Sequence, residues 1–223
     1  MGSDDLFRKR KARQAKDLAR KKASRAQYDR VLIVCEGSKT EPNYFRELID
    51  DFRLNTANVE IDRTKGSSPK TVVDRAVQAY KEAKRKRDPY DRVYCVFDKD
   101  QHGNAYTEAL DRIRRLKPAG VYNGIPSIPC FEYWLLLHYA LTRQRFYGFP
   151  SKTPCEKVIE ALREYYPNYA KASEGVFHCL RPRLENAIAN AHKALIDAKE
   201  TENDDPSTEV HLLVEYLKGL SNS

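Results

Sequence analysis

The sequence has no pair of cysteines in a CxxC arrangement and no group of cysteines and histidines at the spacing of zinc ligands. Its five cysteines are an odd number, and Cys35 and Cys95 lie inside apolar runs that suit small core residues. These absences argue against a zinc site and against a disulfide framework. A chain of 223 residues can bury enough surface to fold without such cross-links, so we expect a reduced, cytoplasmic protein.

Long apolar segments are also missing from the sequence. It has neither the apolar core of a signal peptide near its start nor an apolar run long enough to span a membrane. We therefore expect that the protein has no membrane partner.

Almost no net positive charge remains outside the first thirty residues. Residues 1–30 contain eleven Lys and Arg against four Asp, a net charge of +7, whereas the whole chain carries +8. The segment 1–29 is therefore predicted to be a basic N-terminal arm, either helical or disordered. Such an arm is either a solubilising extension or a segment that binds nucleic acid, because cationic side chains release counterions from the phosphate backbone.

Short apolar runs alternate with helical patterns between residues 30 and 141. The predicted strands are residues 30–35, 59–62, 92–97 and 120–128. The predicted helices are residues 41–52, 69–87 with Ser68 as N-cap, 105–116 and 131–141. This alternating order predicts an α/β domain over residues 30–141, with a doubly wound, largely parallel sheet.

Residues 142–223 have a different character, with five prolines and helical patterns near 155–166, 183–200 and 208–219. Ser207 or Thr208 is predicted to cap the last of these helices, because a hydroxyl can accept a free backbone N–H there. We interpret this C-terminal segment as a helical appendage that packs on the sheet domain.

Carboxylates follow two of the predicted strands. Glu36 comes directly after the first strand, and Asp98 and Asp100 follow the third. Residues i and i+2 of extended backbone point the same way, so the two aspartates can face one point while Lys99 points away. Ligands of open parallel sheets bind outside the carboxyl ends of the strands, and clustered carboxylates need a cation such as Mg²⁺ or Mn²⁺. An ordinary polar turn is the alternative for the aspartates, but it leaves Glu36 unexplained.

Four segments of the sequence resemble the RloB-like proteins, which are Toprim-domain proteins of restriction and abortive-infection loci. The segments are residues 35–45 (CEGSKTEPNYF), 96–102 (VFDKDQH), 129–138 (PCFEYWLLLH) and 203–211 (NDDPSTEVH). The first two are similar to the Toprim domains of topoisomerases, bacterial primases and OLD-type nucleases. The resemblance covers about residues 30–220 and leaves out the basic arm.

This resemblance implies a Toprim-like fold and metal-assisted cleavage of nucleic acid. By analogy, Glu36 would bind metal or act in general acid and base catalysis, while Asp98 and Asp100 would hold Mg²⁺ or Mn²⁺. Glu41 is similar to a second metal-binding glutamate of the OLD-type nucleases, although its spacing from the first differs by about one residue. The resemblance also implies a role in phage defence and a partner ATPase that controls the activity.

Two further residues are candidates for the catalytic set. Lys39 would either neutralise charge on a phosphate or be a solvated lysine in a turn. Glu132 lies in the first turn of an apolar helix, where it would complement the helix dipole or act as a further ligand or base. Because Glu132 belongs to the third segment that resembles the RloB-like proteins, a functional role is favoured for it.

Three functions from different classes follow from these patterns. The leading hypothesis is a divalent-metal-dependent nuclease that acts on RNA, including tRNA, or on DNA. The second is a non-catalytic module that binds nucleic acid or a protein partner. The third is a phosphatase of the haloacid dehalogenase type, which also uses a strand-end Asp-x-Asp but would leave Glu36 without a role. The sequence leaves open whether the chain forms a homodimer.

Overall fold

The computed structural model describes residues 29–64, 68–99 and 103–221, together with isolated residues among the first 28. Its strands are β1 (Val31–Cys35), β2 (Val59–Arg63), β3 (Arg92–Asp98), β4 (Tyr122–Ile128) and β5 (Ser207–Thr208). The helices from residue 29 onward are α1 (Thr40–Asp51), α2 (Pro69–Arg85), α3 (Gly103–Arg115), α4 (Glu132–Leu136), α5 (Pro154–Tyr165), α6 (Val176–Leu180), α7 (Leu184–Glu200) and α8 (Val210–Leu220). Among the described residues, no helix is both long and apolar enough to cross a bilayer.

The five strands form one sheet in the order β2-β1-β3-β4-β5. The first four strands run parallel, and β5 pairs antiparallel with the outer edge of β4. The predicted α/β fold with a largely parallel sheet is therefore confirmed. The chain moves outward from β1 to β2 and then crosses to β3 on the other side of β1. Ligands of doubly wound sheets bind in the crevice at such a reversal, which here lies between β1 and β3.

The two faces of the sheet pack against different sets of helices. Leu32 and Val34 of β1 belong to a core formed with α2 and α3. Val31, Ile33 and Cys35 belong to a second core, formed with α1 and the helices from α4 to α8. All of β1 is buried because successive side chains of a strand enter opposite cores. Residues on both sides of position 141 therefore share one core.

Helix α2 illustrates how local sequence sets these elements. The Ser68 hydroxyl accepts the Thr71 N–H, and the Thr71 hydroxyl accepts the Ser68 N–H, which forms a capping box. Pro69 follows as the first helical residue, where its missing N–H costs nothing. The predicted start of this helix is confirmed.

The structure adds the short helix α6, which was not predicted, and two predicted elements differ in it. The helix predicted over residues 131–141 ends at Leu136, and tighter turns carry the chain on to Ala140. This helix is buried on all sides, so its apolar run has no period that could mark its end. Ser207 and Thr208 form β5 instead of the first turn of the last helix, which begins at Val210. The Thr208 hydroxyl nevertheless accepts the Val210 N–H at 3.3 Å.

Most of the predicted basic arm over residues 1–29 lies outside the described residues. Its last residue, Asp29, is described, and it accepts a hydrogen bond from the Tyr216 hydroxyl of α8 at 2.7 Å. The helical or disordered character of the arm therefore stays a prediction.

Candidate functional site

A cavity of about 370 Å³ opens at the carboxyl ends of β1 and β3, where the strand order reverses. We call this cavity the acidic pocket. The charged side chains that line it are those of Glu36, Lys39, Glu41, Asp98, Glu132 and Lys171. Five of these six residues were predicted as site residues from the sequence, and the structure brings those five to one place.

Glu36 and Asp98 meet because β1 and β3 are parallel neighbours. The register places Cys35 opposite Val96, so both acids emerge at the same edge of the sheet. A carboxylate oxygen of Glu36 accepts the Asp98 backbone N–H at 3.1 Å, and this contact holds the Glu36 side chain at the end of β3. Asp98 itself is only partly buried, so a ligand in the pocket can reach it.

Glu41 turns back from the first turn of α1 toward the loop after β1. Its Oε1 accepts the Gly37 N–H at 3.0 Å, and the side chain is almost fully buried. A Cβ added to Gly37 would lie only 2.0 Å from Oε2 of Glu41. Glycine at position 37 is therefore what allows the Glu41 carboxylate to lie against this loop.

Glu132 enters the pocket from α4 and is 2% exposed. The Tyr169 hydroxyl donates to its Oε1 at 3.1 Å, and the Lys171 ammonium lies 3.5 Å from the same oxygen. The Cys155 thiol donates to Oε2 at 3.5 Å. Glu132 is thus held by side chains from α5 and the following loop. These contacts show that it does not only complement the dipole of α4.

Lys171, which lines the pocket, and Tyr169, which donates to Glu132, were not predicted from the sequence. Both lie in the irregular segment between α5 and α6, where no periodic pattern or motif marks them. Lys171 also donates to Cys155 at 3.3 Å, and its side chain remains half exposed. In the sequence Lys171 is only a lysine in a predicted loop, where lysine side chains are ordinarily solvated.

The carboxylates of the acidic pocket oppose one another's ionisation. Burial, followed by the charges of Glu41 and Glu132, raises the pKa of Asp98 well above its ordinary value. Burial also raises the pKa of Glu41, although the Glu41 and Gly37 backbone N–H groups act in the opposite direction. A bound cation would offset both the repulsion and the burial.

Lys39 and Lys99 occupy different positions relative to the pocket. Lys39 lines it and is exposed, at the position just before α1. Lys99 points away, as predicted, and its ammonium pairs with Asp204 at 2.9 Å. Asp100, the second acid of the Asp98-x-Asp100 pattern, lies outside the described residues, so its place beside Asp98 stays a prediction.

The donor atoms of the acidic pocket suit a hard cation, because carboxylate oxygens are the ligands that Mg²⁺ and Mn²⁺ prefer. Within the described chain, however, the carboxylate oxygens of Glu36, Glu41 and Asp98 are not all within 4.8 Å of one another. These side chains would have to turn inward before all three could bind one ion. A separate buried group, Cys130, Glu132 and Cys155, does meet that distance at the α4 side of the pocket.

Fold and pocket together define an α/β protein with a largely parallel sheet and a cluster of acids at its topological reversal. The family model of the RloB-like proteins matches residues 31–217, which is most of the chain. The chain therefore belongs to the RloB-like protein family. Comparisons with curated proteins and with solved structures find no match.

Proposed function

We propose that this chain is a metal-dependent nuclease with a Toprim-like site. The observation that carries the proposal is the meeting of Glu36, Glu41, Asp98 and Glu132 around one pocket at the reversal of strand order. Clustered acids are costly to a fold, and the pKa values of Asp98 and Glu41 are raised, so the cluster points to a site that a cation completes. The resemblance of the two strand-end motifs to Toprim domains supports the same function.

In this proposal Glu36 and Asp98, together with Asp100, hold Mg²⁺ or Mn²⁺, and Glu41 is a further ligand. A bound divalent ion would polarise the scissile phosphate and make water a better nucleophile. The Asp98 N–H holds Glu36 and the Gly37 N–H holds Glu41 at the edge of the pocket, and both carboxylates would turn inward as the ion binds.

The two lysines of the pocket supply the opposite charge. Lys39 and Lys171 both line the cavity, and both have exposed side chains that a phosphate can approach. Glu132 keeps the Lys171 ammonium at the pocket through their 3.5 Å contact. In the proposed reaction these lysines neutralise charge that develops on the phosphate, and Glu132 positions one of them.

The biological role follows from the family resemblance. We propose that the nuclease is the cytoplasmic effector of a phage-defence system, acting on RNA, including tRNA, or on DNA, under the control of a partner ATPase. The basic arm over residues 1–29 would bind the phosphate backbone of the substrate.

The test is cleavage of end-labelled tRNA, unstructured RNA and duplex DNA by the full chain in Mg²⁺ or Mn²⁺. Asp98→Asn is the test variant, and Asp74→Asn is its matched control, because Asp74 is an exposed acid of α2 that pairs with Arg112. We expect metal-dependent cleavage of one substrate that falls at least about a hundredfold in Asp98→Asn and persists in Asp74→Asn. Undiminished cleavage by Asp98→Asn would show that the acidic pocket is not the active site.

The same assay, repeated with the proposed partner ATPase, separates the nuclease from the non-catalytic module. A binding module would retain nucleic acid in a mobility-shift assay yet cut none of the three substrates with or without the ATPase. That result would overturn the proposed catalysis.

A further inference from the structure

A second cluster of ionisable side chains lies between α7 and α8, among residues that do not line the acidic pocket. It consists of His192 of α7 with His211 and Glu215 of α8, and we call it the histidine seam. One ligand atom from each residue lies within 4.8 Å of the other two. His211 and Glu215 are four residues apart on one helix, so they share a face that looks toward α7.

The geometry within the histidine seam is close to that of a shared ligand set. His192 Nε2 lies 3.0 Å and 2.9 Å from the two carboxylate oxygens of Glu215. The rings of His192 and His211 have centroids 4.4 Å apart and planes at 73°. Two ligands of one tetrahedral zinc ion are about 3.3 Å apart, because each lies roughly 2.0–2.1 Å from the metal. Small side-chain rotations would therefore open room for an ion.

His211 provides a second, independent observation that points to a ligand at this place. Its side chain is 0% exposed, and neither ring nitrogen has a hydrogen-bond partner among the described residues. The Thr208 backbone is near enough to influence the ring but lies outside hydrogen-bonding geometry. Buried polar atoms almost always find a partner in native proteins, so an imidazole of this kind calls for one.

A surface ion pair explains only part of the cluster. His192 and Glu215 are 44% and 41% exposed, which is typical of an ordinary charged pair at a helix surface. Such a pair leaves the buried imidazole of His211 unsatisfied. A metal ion that enters from the exposed side would bind one ring nitrogen of His211 together with His192 and Glu215.

We propose that His192, His211 and Glu215 bind a first-row transition-metal ion, Zn²⁺ by their donor set, and that this ion clips α7 to α8. Two imidazoles and one carboxylate with an open fourth position are a common zinc ligand set. Burial, with the nearby His192, lowers the pKa of His211 to about 4, so this ring is already neutral at pH 7 as a ligand must be. The nitrogen ligands also favour Zn²⁺ over Mg²⁺, which prefers oxygen.

The experiment uses the full chain without a histidine tag, freed of metal by EDTA and titrated with Co²⁺ and then Zn²⁺. We expect one equivalent of Co²⁺ to give the visible bands of a nitrogen and oxygen site, and Zn²⁺ to displace it. A thiolate-to-cobalt charge-transfer band would instead place the ion at Cys130 and Cys155, and that result would overturn the proposal.

His192→Ala is the test variant because His192 is partly exposed and its replacement leaves the buried part of the seam packed. We expect it to weaken Zn²⁺ binding at least about tenfold. His178→Ala, which removes an exposed histidine of α6, is the matched control and is expected to bind like the wild type. Equal Zn²⁺ affinity in His192→Ala and the wild type, or no binding by the wild type at micromolar Zn²⁺, would rule the site out.

Thermal unfolding gives a second readout that does not depend on catalysis. At about a hundred times its Kd, Zn²⁺ should raise the Tm of the wild type by roughly 5–10 °C. The Tm of His192→Ala should rise by no more than about half as much, because its Kd is expected to be at least about tenfold higher. Asp98→Asn is expected to keep the wild-type cobalt spectrum, so failure of the zinc site and failure of the nuclease would be seen separately.

Discussion

The acidic pocket and the histidine seam both gather ionisable side chains, but different kinds of structure bring them together. In the acidic pocket the register of two parallel strands sets Glu36 beside Asp98. In the histidine seam the packing of two helices sets His192 against His211. The first cluster offers oxygen ligands from a sheet edge, and the second offers mainly nitrogen ligands from a helix contact. Because the ligand atoms differ, we expect the two clusters to prefer different cations, Mg²⁺ or Mn²⁺ in the acidic pocket and Zn²⁺ in the histidine seam.

Burial acts in opposite directions on the two clusters. It raises the pKa values of Asp98 and Glu41, so their charged forms are disfavoured until a cation is present. It lowers the pKa of His211, so the neutral form is favoured and no proton has to leave before a metal binds. Metal binding should therefore release more protons from the acidic pocket than from His211.

The largest expected difference between the acidic pocket and the histidine seam is their response to metal removal and replacement. EDTA-treated protein is expected to lose at least about a hundredfold in cleavage rate, because the acids of the pocket then repel one another and cannot act on a phosphate. Mg²⁺ or Mn²⁺ should restore cleavage, whereas one equivalent of Zn²⁺ should raise only the Tm. Initial rates and Tm values measured side by side in each metal check this. Full restoration of cleavage by one equivalent of Zn²⁺ would contradict the separation.

Replacing Glu132 should have the next largest effect, on stability. Glu132→Ala removes the acceptor of the buried Tyr169 hydroxyl and leaves a cavity, which is expected to cost about 1–3 kcal/mol of unfolding free energy. Glu132→Gln keeps an acceptor and removes a repelling charge, so its stability should stay near that of the wild type. Urea unfolding measures both variants.

Glu185→Ala provides the matched control for the Glu132 variants. Glu185 is an exposed acid of α7 that pairs with Lys218, and such pairs contribute at most about 1 kcal/mol. If Glu132→Ala is no more destabilised than Glu185→Ala, the buried contacts of Glu132 have little energetic weight.

Gly37→Ala should disturb the acidic pocket without unfolding the chain. The new methyl group would meet the Glu41 carboxylate, which must leave its hydrogen bond with the Gly37 N–H. We expect roughly a fivefold loss of cleavage, since one net hydrogen bond contributes about 1 kcal/mol. Gly219→Ala is the control, because a Cβ there meets nothing within 4 Å. Wild-type rates in Gly37→Ala would show that the position of Glu41 is unimportant.

The smallest effect should appear in the dependence of stability on pH. The raised pKa of Asp98 means that the folded state keeps its proton where the unfolded chain, with a pKa of about 3.9, has lost it. The stability that this proton contributes is full below about pH 4 and is lost as pH rises through the folded pKa. In EDTA, Asp98→Asn should therefore gain a few °C in Tm over the wild type between pH 4 and 8.

Mg²⁺ provides the counter-test for this pH effect. Because the ion binds the ionised wild-type pocket better than the Asp98→Asn pocket, it should shrink the Tm advantage of the variant as pH rises. A difference in Tm between the two proteins that is constant across the pH range would mean that the ionisation of Asp98 carries no cost.

Local patterns predicted much of the fold for identifiable reasons. The capping box at Ser68 and the apolar run of β1 are short-range signals, and each produced the expected element. The strand β5 could not be found in this way. It has two residues, and its pairing with Ser127 and Ile128 of β4 depends on chain about eighty residues away.

The candidate acids were likewise predictable only in part. Glu36 and Asp98 follow apolar strands, so their position at a sheet edge can be read from the sequence. Their contact requires that β1 and β3 be neighbours, which the order of elements alone does not decide. Tyr169 and Lys171 reach Glu132 from an irregular loop, and no local pattern marks such a residue.

The sequence by itself determined the alternation of strands and helices, the acids at two strand ends and the concentration of positive charge in the first thirty residues. These properties depend on neighbours a few positions apart, where periodicity and turn chemistry act. Tertiary structure alone decided which acids share a pocket, what holds Glu132, and that His192 lies against His211 and Glu215. The spacing of residues along the sequence could not reveal the histidine seam, because helix packing brings together residues that are far apart in the chain.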